Sequence, residues 1–216
     1  MGINKVFLLL SLALLVHSNH YGQEILTNWK LEKQSEDIKI SYRKVLVGDT
    51  FKTRQIKMTF MVSSDSKSVI ALFKDSEKLT TWTAGAEKCR VLNDEAENSW
   101  IIYTLYDIPW PFEQRDLVTK CHLKENDSVT IIHLTSVPQQ IPYYQGVSRE
   151  EKFEGQWKFT ELNNGNTEVE FTSISFTKSA VPRFIQDPFV QGILIESANE
   201  LKSLAKQQYY AQISRL

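Results

Sequence analysis

From residue 36 onward the chain alternates apolar and polar side chains in short runs, and only its C-terminal end switches to a helical period. The sharpest case sets Phe153, Gly155, Trp157 and Phe159 against Lys152, Glu154, Gln156 and Lys158. That is the pattern of a strand with one face on a core and the other in water. Ile38, Ile40 and Tyr42 share one face of an earlier strand. Ile56, Met58, Phe60 and Val62 share a face of the next, with Arg54, Lys57 and Thr59 among the polar residues around them. Val69, Leu72 and Phe73 then follow i, i+3, i+4 spacing, which predicts a short helix capped by Ser64 or Asp65, and a second helical piece spans Ser76–Trp82. Six further strands are predicted at 87–92, 100–106, 115–123, 129–136, 152–162 and 167–177. The last two are joined by Asn163-Asn164-Gly165-Asn166, a hairpin turn sequence.

Beyond Pro182, a helical stripe of Val190, Leu194, Leu201 and Leu204 is widened by Phe189, Ile193 and Ala198. Pro182 and Pro188 are expected at or near the start of this helix, where a missing N–H costs least, and its end is expected near Gln208. The order is therefore two strands, two short helices, six strands and one long amphipathic helix, an α+β arrangement. An antiparallel sheet of eight strands twists and curls, and its concave face needs a cover. Only the last helix is long enough to provide one. Whether side chains or a ligand fill the space between them is the functional question.

The N-terminus bears on compartment. Lys5 precedes the apolar run Val6–Val16, which is too short to cross a hydrocarbon core of about 30 Å but suits a signal peptide. Residues 1–22 are expected to be that peptide, with Ser18 or Gly22 near the cleavage point, and an uncleaved anchor is the other reading. The expectation is an exported protein, periplasmic or secreted, with 23–216 as one domain. Charge is balanced, 25 basic against 26 acidic residues, without blocks of either sign, so nothing points to nucleic acid. Five tryptophans, eight tyrosines and eleven phenylalanines can fill a core or line a pocket. The four histidines lack metal-ligand spacing, and no phosphate loop or G-x-S-x-G motif is present. No metal or cofactor is implied. Cys89 and Cys121 are expected to be free thiols, because a strand lies between theirs and separates them by about 9.5 Å, beyond the roughly 7 Å reach of a disulfide.

Several segments together carry a resemblance. Trp29-Lys30-Leu31 precedes Ile38-Lys39-Ile40-Ser41-Tyr42-Arg43; Trp82 follows the small helices; Asp107-Ile108-Pro109-Trp110-Pro111-Phe112-Glu113-Gln114-Arg115-Asp116 is a proline-framed aromatic run ending in Arg-Asp. Gly146, Val147, Arg149, Phe153, Gly155 and Trp157 come next, then Val181-Pro182-Arg183-Phe184-Ile185. In order and spacing these resemble the START (steroidogenic acute regulatory protein-related lipid transfer) domain family. Phe184 stands where that family usually has tryptophan, Gln186-Asp187 where asparagine is common, and Glu87-Lys88 does not clearly keep the acidic partner of sterol-binding relatives. The resemblance implies a helix-grip fold, with the curved sheet wrapped around the C-terminal helix. It also implies a hydrophobic tunnel for a sterol, phospholipid, sphingolipid or other apolar molecule, with that helix as lid.

Within this frame the candidate ligand-binding residues are Arg115, Tyr103, Trp110, Phe112, Leu117, His133, Trp157, Phe189 and Ile193. Arg115 shares a strand face with Leu117, Thr119, Cys121 and Leu123, so its guanidinium must be paired, either with a ligand's polar head or with a carboxylate from a neighbouring strand. Trp110 and Phe112, framed by prolines, read as loop aromatics that meet a ligand, a membrane interface or the last helix. Tyr143 and Tyr144 invite the same readings. His133 shares its face with Val129 and Ile131, as a packed histidine does. Three functions remain open: a monomeric binder or carrier of a lipid or similar hydrophobic molecule with transient membrane contact; a cyclase- or aromatase-type enzyme using Tyr103, Arg115 and His133; or a module whose interior is filled by Trp157, Phe159 and Phe171.

Overall fold

The computed structural model describes residues 23–93, 98–107, 114–176 and 181–213. In chain order these form strands β1 (Gln23–Ile25), β2 (Lys30–Ser35), β3 (Ile38–Val47) and β4 (Phe51–Val62), then helices α1 (Ser66–Ala71) and α2 (Ser76–Trp82). Strands β5 (Ala86–Asn93), β6 (Ser99–Tyr106), β7 (Arg115–Asn126) and β8 (Val129–Ser136) follow. After a 3-10 turn at Pro138–Gln140 come β9 (Ser148–Arg149), β10 (Phe153–Glu161), β11 (Thr167–Ser175) and helix α3 (Arg183–Ile213). The sheet runs β1-β3-β4-β11-β10-β8-β7-β6-β5, with β2 added on β3 and β9 on β7. Every pairing is antiparallel except β7 with β9. The β4–β11 pairing, with Met58 opposite Phe171, joins the first strands of the chain to the last.

The alternation places one side chain of each pair inside. Ile38, Ile40, Met58, Phe60, Ile132, Phe159 and Val169 are buried on the concave face, where they meet α1, α2 and α3 in one apolar core. Phe73 anchors an aromatic cluster, with its ring centroid 4.8 Å from Trp82, 5.3 Å from Trp157 and 5.7 Å from Phe159. Asp65 caps α1 by accepting the Ser68 N–H at 2.7 Å, and Asp75 caps α2 through Glu77 and Lys78. Helix α2 also shields the sheet's edge: Thr80 Oγ1 accepts the Cys89 N–H and Ser76 Oγ the Val91 N–H, each at 2.9 Å. One helical turn thus satisfies alternate outward donors of β5, the groups through which an edge strand would otherwise pair with another chain.

The architecture departs from the sequence expectation in two ways. Strands β1, β2 and β9 add to the eight expected; they are short and mostly exposed, held by backbone pairing rather than by an apolar face. Helix α3 is longer at its end, and Pro188 lies inside it rather than at its start. The ring deprives the Phe184 carbonyl of its i+4 donor. The expected signal peptide, residues 1–22, lies outside the described residues. Among those described, no helix is long and apolar enough to cross a membrane.

Candidate functional site

Helix α3 covers the concave face unevenly. Ser197, Ala198, Leu201, Leu204 and Ala205 are buried, while Asn199, Glu200, Ser203 and Lys206 face water. From Arg183 to Glu196, all described residues, no side chain is fully buried. Ile56, Phe153 and Phe171 of the sheet and Leu194 of this half of α3 pack against the core and stay only partly buried. The C-terminal half of α3 therefore seals the core, while its N-terminal half covers the concave face with half-buried and exposed side chains only. Two ion pairs fasten α3 to the sheet, one in each half. Arg54 of β4 grips Asp187 with both terminal nitrogens, Nη1 to Oδ2 at 3.0 Å, and Lys202 meets Asp37 at 2.5 Å. The Arg54 guanidinium lies 4.2 Å over the ring of Tyr42. Burial raises the Tyr42 pKa, and its hydroxyl lies near Gln191 of α3 without a fully formed hydrogen bond.

The polar end of the interior is built on β6 and β7. Tyr106 stands opposite Arg115 in register, and Arg115 Nη1 bonds Glu150 Oε2 at 3.1 Å. Tyr106 lies on the same face of β6 as Trp100 and Ile102 and is half-buried. Burial first, then the nearby Cys89 and Glu150, push its hydroxyl well above the usual tyrosine range, so it stays a neutral donor and acceptor. Thr104, opposite Leu117, holds Cys89 at 3.7 Å from its hydroxyl. Cys89 and Cys121 are free and buried, with β6 between their strands, and burial raises both thiol pKa values.

The sequence-predicted residues divide between the two sides of the sheet. Arg115, Leu117 and Trp157 share the concave face, and Phe189 and Ile193 are half-buried on α3, Ile193 close to Gly85. Trp157 is itself packed, 4.5 Å from Phe171 and 5.7 Å from Trp82, so it forms wall rather than lining at an open end. Tyr103 and His133 require correction. Tyr103 belongs to a convex-face cluster with Val118 and Ile141, because strand alternation sends it opposite to Trp100 and Ile102. His133 stands opposite His122 on the convex face, since Ile132 and Leu134 occupy the core side of β8. Trp110 and Phe112 lie outside the described residues. Three contributors escaped the sequence reading: Glu150, Tyr106 and the Arg54–Asp187 pair. Tyr106 was legible, two residues beyond Thr104 on the Trp100 face; the pairings of Glu150 and Asp187 join distant segments and carry no local signal.

Tyr103 and His133 thus point away from Arg115, so these three residues do not converge on one site. Among the described residues no group of three or more histidine, cysteine or carboxylate side chains could hold a metal ion. What the arrangement offers is an apolar concave face, a half-helix over it with no buried side chain, and one polar end.

Comparison with known proteins agrees with this geometry. An uncharacterised protein of Pseudomonas aeruginosa is 26% identical over 188 residues, 87% of this chain and 91% of that protein. A STAR-related lipid transfer protein fragment from Xanthomonas axonopodis superposes with a TM-score of 0.71 at 18% identity, covering 82% of this chain and 98% of the fragment. Human STARD10 gives 0.67 at 13% identity, over 87% of this chain and 76% of its own. The Zhui aromatase/cyclase of Streptomyces sp. R1128 gives 0.51 at 14% identity, over 72% of this chain and 94% of the enzyme. These likenesses establish a shared helix-grip fold. The START domain model matches residues 14–212, and the chain belongs to the START domain family.

Proposed function

We propose that the protein binds a single lipid, sterol-like or other apolar molecule between the concave face of its sheet and the N-terminal half of α3, and carries it between membranes without transforming it. The observation that carries this reading is the incomplete burial of the apolar side chains Ile56, Phe153 and Phe171 of the sheet and Leu194 of α3, in the stretch of that helix where no side chain is buried. Each CH₂ buried there contributes about 0.8 kcal/mol, so an acyl chain or ring system needs few polar contacts to bind well. Arg115, Glu150 and Tyr106 form the end that receives a hydroxyl or head group, and pocket length sets the rest of the specificity. We place the protein outside the cytoplasm, exported by residues 1–22, and acting as a monomer that touches membranes transiently. The likeness to a lipid transfer protein of Xanthomonas axonopodis supports the carrier role.

The test is to purify the protein under native conditions, extract it with organic solvent and identify what co-purifies by mass spectrometry. One apolar molecule per chain is the expected result. A protein that comes out empty and takes up none of a panel of lipids and sterols would overturn the reading.

A further inference from the structure

We propose that the first turn of α3 and the adjoining end of the β3–β4 hairpin form a docking face for an anionic bilayer surface. Phe184 is 78% exposed and Ile185 and Leu26 are each 40% exposed, three large apolar side chains left in water. They sit together. Phe184 is three residues, about 4.5 Å along the axis, before Asp187, which Arg54 grips. Lys44 is the cross-strand partner of Arg54, Lys52 is two residues along β4 on the same side, and the Leu26 N–H donates to the Lys44 carbonyl at 2.9 Å.

The charges around this tip favour an anionic partner. Arg183, Lys44 and Lys52 are exposed beside it, while Asp187 is already paired with Arg54. The other described acids near that end are Glu24, opposite Leu46 on the edge strand, Glu32, which pairs with Lys30 at 2.8 Å, and Asp49 in the hairpin turn. An apolar tip of three side chains is too small for a stable protein interface but is the size that buries in a headgroup layer, with cations left at phosphate depth. The same turn begins the half of α3 in which no side chain is buried, so docking here brings that end of the helix to the membrane. This inference rests on the carrier reading for its purpose, though not for its geometry.

The full chain is used for the test, labelled with an environment-sensitive dye at Phe184→Cys or, as control, at Asn164→Cys in the β10–β11 turn at the opposite end of the sheet. Cys89 and Cys121 are buried and compete poorly for label. Vesicles of phosphatidylcholine with phosphatidylserine should raise and blue-shift the signal at 184 and leave 164 unchanged; both chains carry the same N-terminal apolar run, so capture by that run alone leaves the two sites alike. Charge reversal at Lys44 or Arg183 should weaken binding to these vesicles about fivefold each and leave binding to phosphatidylcholine alone little changed. Equal responses at 184 and 164, or none at either, would overturn the proposal. So would a Phe184→Ser/Ile185→Ser variant that changes the sedimentation coefficient but not vesicle binding, which would make this face a contact between copies of the chain. Solvent extraction of the same variant separates the two readings: retained ligand with lost docking leaves the carrier reading intact, and an empty wild-type protein that still docks removes only that reading.

Discussion

Arg149 and Asp116 meet on the convex side of the sheet, Nε to Oδ1 at 2.9 Å and Nη2 to Oδ2 at 2.6 Å, and each side chain is only 1% exposed. The remaining donors of Arg149 reach the carbonyls of Pro138, Ile141 and Pro142. All five N–H groups of the guanidinium are therefore satisfied, and the pair ties β7 to the loop over Tyr103, Val118 and Ile141. Such a pair is strongly destabilising to break on one side because a buried charge is stranded. Arg149→Met or Asp116→Asn should each cost about 3–5 kcal/mol in urea unfolding, and the double variant should cost less than the sum. Additive losses would show that the two groups do not depend on each other.

The Arg115–Glu150 pair makes the opposite forecast. Arg115 keeps 29% of its side-chain surface, so its ion pair is partly screened and contributes about 1 kcal/mol or less to folding. A charge-assisted bond to a ligand's polar end is stronger, about 1.5–3 kcal/mol. Arg115→Met should lower ligand affinity about tenfold or more while shifting the unfolding midpoint little. A large stability loss with unchanged affinity would assign Arg115 to architecture.

The hydroxyls of α2 can be removed without changing shape. Thr80→Val deletes the acceptor of the Cys89 N–H and leaves a donor without a partner, at a cost of about 1–3 kcal/mol. Hydrogen exchange at Cys89 should accelerate more than at Val91, whose acceptor Ser76 Oγ remains, and more than at the β6 amides. Uniform acceleration across β5 and β6 would mean that α2 shields this edge by packing alone.

Much of this molecule is legible in its sequence, for a reason that particular residues make plain. Met58, Phe60, Trp157 and Phe159 announce their face because each strand alternates against a single core, and Asp65 and Asp75 announce helix starts because capping is a local interaction. The same alternation applied to β6 and β8 sends Tyr103 and His133 outward, and neighbours such as Val118 and Ile131 disguise this by being apolar on the outer side as well. The loop around Ile141 supplies a second small core there, and a loop has no periodicity to read. Glu150 and Asp187 find their partners 35 and 133 residues away, which only the folded sheet and helix decide.

His133 carries the pH forecast. It faces His122 across β7 and β8, with Lys124 on the same face and Gln156 of β10 on its other side. Burial, then Lys124, then His122 hold its pKa below the ordinary 6.5. The unfolded chain therefore takes up a proton at His133 before the folded protein does. Stability is unaffected by this residue above pH 6.5 and falls as the pH drops below that value, until the folded form also protonates. In urea melts between about pH 7.5 and 5, His133→Gln should lose less stability on acidification than the parent protein, with the two curves parallel at the alkaline end. A variant whose stability tracks the parent throughout would show that His133 titrates alike in both states, and that its two cationic neighbours are fully screened.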